Sequence, residues 1–174
     1  MMKSLVVGLM AVGFAAFTTT AALADSDYEY GKQMPKLIKE MPKAKVPLAQ
    51  GIKDAEQGGK AISAQYEVDE DAGYQLSVFV SKGADINEVI VDYATGKIKS
   101  SDKLTDPDDI KDAKGQADAM AKGQKSLADA VAEAVKANPG FEAIRVVPKL
   151  KGGAAEAQVT LLQGSKTKKV DEKL

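Results

Sequence analysis

The sequence contains no cysteine, no histidine and no tryptophan, and Arg145 is its single arginine. Without cysteine no disulfide can stabilise the chain, so the burial of apolar side chains has to suffice. The absence of histidine excludes Ser-His-Asp and Cys-His nucleophile systems, and it excludes zinc or copper sites built from nitrogen and sulfur ligands. The chemistry that remains uses carboxylates, lysines, hydroxyls and backbone groups.

The charge is nearly balanced, with 24 basic and 25 acidic side chains over 174 residues. A protein that binds bulk nucleic acid needs a basic surface, usually with arginine and aromatic side chains interleaved. Here the lysines are scattered along the chain and tryptophan is absent. We therefore expect no nucleic-acid partner.

Residues 1–24 have the pattern of an export signal. Lys3 supplies a basic start, residues 5–17 are almost entirely apolar, and Ala22-Leu-Ala24 is a small-residue cleavage site. The apolar run is short for a bilayer span, which makes an uncleaved anchor the weaker alternative. The pattern predicts a bacterial protein that is periplasmic or secreted, with no membrane span after signal removal. Residues 25–45 are predicted to be an irregular lead-in with a short helical turn.

Two segments of the remaining chain share one apolar pattern, displaced by 79 positions. The matched pairs are Leu48 and Leu127, Ala49 and Ala128, Ile52 and Val131, and Ala55 and Ala134. Their spacing places them on one face of a helix. Each segment is followed by a glycine or proline break and by three runs of strand character. These runs are 60–69, 74–81 and 86–92 in the first unit, and 141–150, 154–163 and 166–170 in the second.

These patterns predict an α+β fold with two repeats of one helix packed on a small antiparallel sheet, joined by a helical linker. The first unit is residues 46–104, the linker is 105–124, and the second unit is 125–174. In the linker, a helix is predicted over 110–122. Thr105 or Asp106 can cap it, and Pro107 suits a first turn. Ser126 is predicted to cap the helix that follows.

The stretch VIVDYATGKI, residues 89–98, raises the question of phosphate binding because it contains Gly96-Lys97. A P-loop also needs a glycine five positions earlier and a hydroxyl residue after the lysine, and this chain has Val91 and Ile98 there. The spacing instead favours a hairpin. Asp92 and Thr95 would bond the backbone of the bend, the glycine would adopt a positive φ, and the lysine would face solvent.

This stretch, together with the helix before it, resembles the PepSY domain family. The family's recurring feature is a hydrophobic strand ending in Asp, followed after two residues by Thr-Gly, a polar residue and a branched apolar residue. Here those positions are Val89, Val91, Asp92, Thr95, Gly96, Lys97 and Ile98. The resemblance covers 46–104 well and 125–174 less completely, because the second unit lacks the Thr-Gly turn and the final strand.

The resemblance implies a largely non-catalytic protein. PepSY domains occur in propeptides of secreted metallopeptidases, where they are thought to restrain the protease. They also occur in small periplasmic proteins, some of which are associated with metal handling, including lanthanide binding. Composition and periodicity alone predict neither role; both are implied by the resemblance.

Carboxylates form the strongest candidate chemistry, because hard cations such as Ca²⁺ or a lanthanide need several oxygen ligands. The candidate metal ligands lie in the first hairpin, along the third strand and at the linker-helix start. They are Glu67, Asp69, Glu70, Asp71, Asp85, Glu88, Asp92, Asp106, Asp108, Asp109 and Asp112. No EF-hand spacing is present, so any site is expected to be shallow and weak. The alternative is that the linker acids cap a helix and the hairpin acids are merely solvated.

The leading hypothesis is a non-enzymatic periplasmic binding protein with weak carboxylate sites for Ca²⁺ or lanthanide ions and no obligatory cofactor. Enzymatic use of paired carboxylates needs one pKa raised by burial, which loops and strand ends disfavour. The alternative hypothesis is a protein-binding module that inhibits or escorts a secreted peptidase or another envelope protein. A long, uncovered sheet edge would support that alternative.

Overall fold

The computed structural model describes residues 20–69 and 71–174, within which the chain forms four helices and one antiparallel sheet of seven strands. The helices are α1 (Thr20–Glu40), α2 (Leu48–Ala55), α3 (Pro107–Lys122) and α4 (Leu127–Ala137), with short 3₁₀ turns at Met41–Lys43 and Glu56–Gly58. The strands are β1 (Lys60–Asp69), β2 (Gly73–Lys82), β3 (Asp85–Val91), β4 (Ile98–Lys103), β5 (Glu142–Lys151), β6 (Ala154–Gln163) and β7 (Lys166–Lys173). The predicted α+β class is confirmed. Of the predicted signal peptide, residues 1–19 lie outside the described part.

The strand and helix predictions after position 45 agree closely with the structure. β1 and β6 coincide with the predicted runs, and β7 continues three residues beyond its predicted end. The linker helix is α3, and the side chain of its N-cap Asp106 accepts the amide N–H groups of Asp108 and Asp109. Ser126 caps α4 by accepting the N–H of Asp129, as expected.

The strands form one continuous sheet, whereas two small sheets were predicted. The strand order is β4-β3-β2-β1-β5-β6-β7, so β1 and β5 join the two halves at the centre. They pair only through Ala64 with Val146 and Gln65 with Arg145, and they separate on either side of that contact. This short pairing covers the middle of two inner strand edges, and it allows both halves to share one core.

The shared core lies on the face of the sheet against which α2 and α4 pack side by side. Leu76 and Leu161 contribute from the strands, and Ile52 and Val131 contribute from the helices; all are almost fully buried. Gly51 permits the close approach of α2, because a Cβ there would lie 2.2 Å from Cδ2 of Leu76. The core therefore runs without a break across both halves of the sheet.

Most of the segment predicted to be an irregular lead-in, 25–45, belongs to α1, so that prediction was wrong. Pro35 lies inside this helix, where it removes one backbone donor. Burial of Tyr30 and Leu37, which are 6% and 0% exposed, stabilises the helix despite the proline. Within 20–69 and 71–174, no helix has the length and apolar character needed to cross a membrane.

Candidate functional site

A cleft of about 830 Å³ lies between α1 and α3, above the face of the sheet opposite to the α2/α4 core. Strand alternation places Ser63, Gln65, Ser77 and Arg145 in its floor, while the intervening apolar residues turn toward the core. The cleft therefore has a polar floor at the point where the two halves of the sheet meet.

Arg145 is the main charged group of the floor, and its side chain is only 7% exposed. Its guanidinium forms an ion pair with Asp27 and lies 4.8 Å from the ring centroid of Tyr30. Asp27 also accepts a hydrogen bond of 2.5 Å from Lys169. Burial opposes ionisation of Asp27, but this bond and the charge of Arg145 outweigh that effect and lower the pKa of Asp27.

Two side chains of α1 fill the gap where β1 and β5 separate. The Tyr30 hydroxyl donates to the carbonyl oxygens of Tyr66, at 3.0 Å, and Ile144, at 3.2 Å. Gln33 Oε1 accepts the backbone N–H of Val68 at 2.7 Å. Burial raises the pKa of Tyr30, so the phenol remains a donor. α1 therefore supplies hydrogen-bond partners that the diverging strands do not give each other.

The α3 wall of the cleft is acidic. Asp108, Asp109 and Asp112 line it, and no lysine or arginine of the described residues lies within salt-bridge distance of them. Burial raises the pKa of Asp109, and the charges of Asp106, Asp112 and Asp108 raise it further. On the same wall, Gln116 Oε1 is buried without a hydrogen-bond partner in the described part of the chain. This wall thus carries negative charge that has not been neutralised.

The facing wall, on α1, carries charges of mixed sign. Glu29, Lys32 and Lys36 line it, and Lys32 pairs with Glu29 at 2.8 Å. Lys111 also lines the cleft from the α3 side. None of these three lysines is within salt-bridge distance of the three acids of α3 in the described structure.

The three predicted hairpin acids that the structure describes do not converge. Glu67 points into the β1–β2 pair, where its carboxylate accepts the amide groups of Gln65 at 2.6 Å and Gln75 at 2.7 Å. Asp69 accepts the backbone N–H groups of Asp71 and Ala72 and so shapes the turn. Asp71 is exposed. The fourth predicted ligand of this group, at position 70, lies outside the described residues.

The acids of the third strand are also dispersed. Asp85 forms an exposed ion pair with Lys103 at 2.6 Å. Glu88 accepts the hydroxyl of Ser77 at 2.6 Å, which links it to the floor of the cleft. Asp92 belongs to the turn after β3. Within the described residues, no three acidic side chains are arranged to hold a metal ion.

The turn after β3 has the predicted hairpin chemistry. Oδ1 of Asp92 accepts the N–H groups of Ala94, at 3.0 Å, and Thr95, at 2.8 Å, and the Thr95 hydroxyl at 2.9 Å. Gly96 has a φ of 76°, and a Cβ there would lie 2.7 Å from Oδ2 of Asp54. Lys97 is exposed. The predictions for this turn are confirmed.

The sequence reasoning missed Arg145, Tyr30 and Gln33 as parts of the site. One signal was available, because the single arginine stands between Ile144 and Val146 in a strand of apolar residues. A charged side chain in such a position is expected to have a buried partner. The environment of Glu67 was also missed. It was treated as an ordinary hairpin acid, whereas burial raises its pKa despite the hydrogen bonds from Gln75 and Gln65.

Comparison with models of known protein families gave no match, and comparison with curated proteins and with solved structures gave no significant match either. The resemblance to PepSY domains therefore stays a prediction.

Proposed function

We propose that this is a non-enzymatic binding protein and that the acidic α3 wall of the cleft binds hard metal cations weakly. The observation that carries this proposal is the cluster of Asp108, Asp109 and Asp112 beside an 830 Å³ cleft. Burial raises the pKa of Asp109, and repulsion from the neighbouring carboxylates raises it further. A bound cation would relieve that repulsion, and oxygen ligands suit Ca²⁺ and lanthanide ions.

The expected site is weak because its ligands are not preorganised. With no group of three acids in coordinating arrangement within the described chain, water would have to complete the coordination shell. The basic side chains Lys32 and Lys36 on the opposite wall also lower affinity for a lone cation. A cation that carries a bound anion would be attracted to both walls, because the cation would face the acids of α3 and the anion would face the two lysines.

A non-enzymatic role agrees with the environment of the half-buried acid Glu67. Glu67 has a raised pKa, as a general acid would, but Gln65 and Gln75 occupy its carboxylate. It is also not part of the cleft lining. The chain offers no histidine to take a proton in its place.

We also propose that the fold consists of two PepSY-like units, the second lacking the fourth strand, in an exported protein. The strand order is mirrored about the β1–β5 contact. In addition, each inner strand has a register irregularity near its start, between Ala61 and Ser63 in β1 and between Ala143 and Arg145 in β5. Matching irregularities in matching strands favour a common ancestral unit.

The cation proposal is tested by titrating the protein with Tb³⁺ and Ca²⁺ while recording tyrosine-sensitised luminescence and heat. Tyr30 lines the cleft, so Tb³⁺ on the α3 wall is expected to give a saturable signal. The Asp108→Asn, Asp109→Asn, Asp112→Asn triple variant should remove it. Asp118→Asn, an exposed acid on the same helix, is the matched control. An unchanged titration of the triple variant, or no saturation at millimolar ion, contradicts the proposal.

A protein-binding role is the second candidate, favoured by the sheet edges. In the described structure the outer edges of β4 and β7 have no partner strand, and β7 is eight residues long. Lys166 and Lys173 on β7 are exposed, which disfavours self-association and favours an acidic partner strand. Affinity capture from a bacterial envelope extract tests this role. Recovery of a peptidase or envelope protein that is lost in a Lys166→Glu, Lys173→Glu variant supports it, and recovery of none contradicts it.

A further inference from the structure

A second cavity, of about 550 Å³, lies on the opposite face of the sheet, between the start of α2 and the end of α4. Its lining is mostly apolar and includes Met41, Val46, Leu48, Val131, Val135 and Phe141. Four of these belong to the buried core, each at most 8% exposed. The cavity is therefore an opening into the core itself, and its size is within the range of about 300–1,000 Å³ typical of small-molecule sites.

The rim of this cavity is positively charged. Lys45 and Lys136 line it and are exposed, and no acid of the described residues lies within salt-bridge distance of either. Glu142 is the one acid in the lining among the residues that the structure describes. The N-cap of α2 is Pro47, which has no side-chain oxygen to cap the helix. Pro47, Leu48 and Ala49 all line the cavity, so the uncapped, positive end of the helix lies beside it.

An apolar interior with a basic rim selects an amphiphile of one polarity. An alkyl chain would replace water against the apolar walls, and a terminal carboxylate would lie at the two lysines. We propose that this cavity binds an unbranched alkyl carboxylate, that is, a medium-chain fatty acid. The α1/α3 cleft does not suit such a ligand, because its floor is polar and its α3 wall is acidic.

The proposal is tested by calorimetric titration with octanoate, decanoate and dodecanoate below their micellar concentrations. Burial of each added methylene is expected to tighten binding about threefold to fourfold. Decanol, which lacks the charge, and decyltrimethylammonium, which reverses it, should bind at least tenfold more weakly than decanoate. Equal binding of the three ten-carbon compounds, or no saturable binding of any carboxylate, overturns the proposal.

Variants at the exposed rim locate the site without disturbing the core. The double variant Lys45→Gln, Lys136→Gln should weaken decanoate binding at least tenfold, whereas Glu142→Gln, which removes the opposing charge, should tighten it. Lys53→Gln, on the exposed side of α2 and outside the lining, is the matched control. Unchanged affinity in the double variant overturns the assignment. The Tb³⁺ titration should be the same in all four proteins, so this proposal and the cation proposal can fail separately.

Discussion

At the scale of single residues, one carboxylate oxygen organises the turn after β3. Oδ1 of Asp92 accepts two backbone N–H groups and the Thr95 hydroxyl, and the hydroxyl bond contributes most to a lowered pKa of Asp92. We expect Asp92→Ala to lower the free energy of unfolding by about 1–2 kcal/mol, as for loss of a helix cap. Urea unfolding at pH 7 measures this. Asp102→Ala, an exposed position in β4, is the control, and an equal effect of both substitutions would contradict the prediction.

The pH dependence of Glu67 is a second residue-scale prediction. Burial raises the pKa of Glu67 in the folded protein above its ordinary value of about 4.3. The folded state therefore loses stability relative to the unfolded state as the pH rises from that value through the raised pKa, because the carboxyl group ionises less readily when the protein is folded. Glu67→Gln should therefore be more stable than the native protein at pH 7. The difference should shrink as the pH falls to 4. Urea titrations at both pH values check this, with Asp118→Asn as the control for charge removal. A difference that grows on acidification would refute it.

These two residues also show what the sequence could predict. The Asp92 turn depends on side chains within five positions of one another, so the spacing of Asp, Thr and Gly was sufficient to identify it. The environment of Glu67 depends on Gln75 of the neighbouring strand and on the packing over it. Nothing local to 67–71 distinguishes a half-buried carboxylate from a solvated one, and the acids of this hairpin were consequently treated alike.

At the scale of elements, α1 stabilises the gap between β1 and β5. Tyr30→Phe keeps the ring but removes the hydroxyl that donates to the carbonyl oxygens of Tyr66 and Ile144. We expect a loss of about 1–3 kcal/mol in the free energy of unfolding, because two buried acceptors lose this donor. Tyr28→Phe is the matched control, since Tyr28 is 63% exposed on the same helix. Chemical denaturation of both variants measures the difference, and equal stability would exclude the role assigned to Tyr30.

The elements differ in how far the sequence predicted them. Strand runs between turn residues and the Asp106 and Ser126 caps are local signals, and the structure follows them closely. α1 was missed because Pro35 suggests a break in the chain. Its helical form depends on contacts with strands more than thirty positions away, which no local pattern contains.

At the scale of the whole molecule, one core spans both halves of the sheet, so the halves are expected to unfold together. Leu76→Ala in the first half and Leu161→Ala in the second should each cost about 2–5 kcal/mol, because both side chains are fully buried. Each should also reduce amide-exchange protection in all seven strands by a similar factor. Ile98→Ala, at a side chain 41% exposed on β4, is the control and should change protection little. If the halves were two independent domains, as the repeat pattern alone would suggest, the result would differ. Leu161→Ala would then reduce amide-exchange protection in β5, β6 and β7, while β1 to β4 kept theirs. That outcome would show that the two residue pairs joining β1 to β5 and the packing of α2 on α4 do not couple the halves.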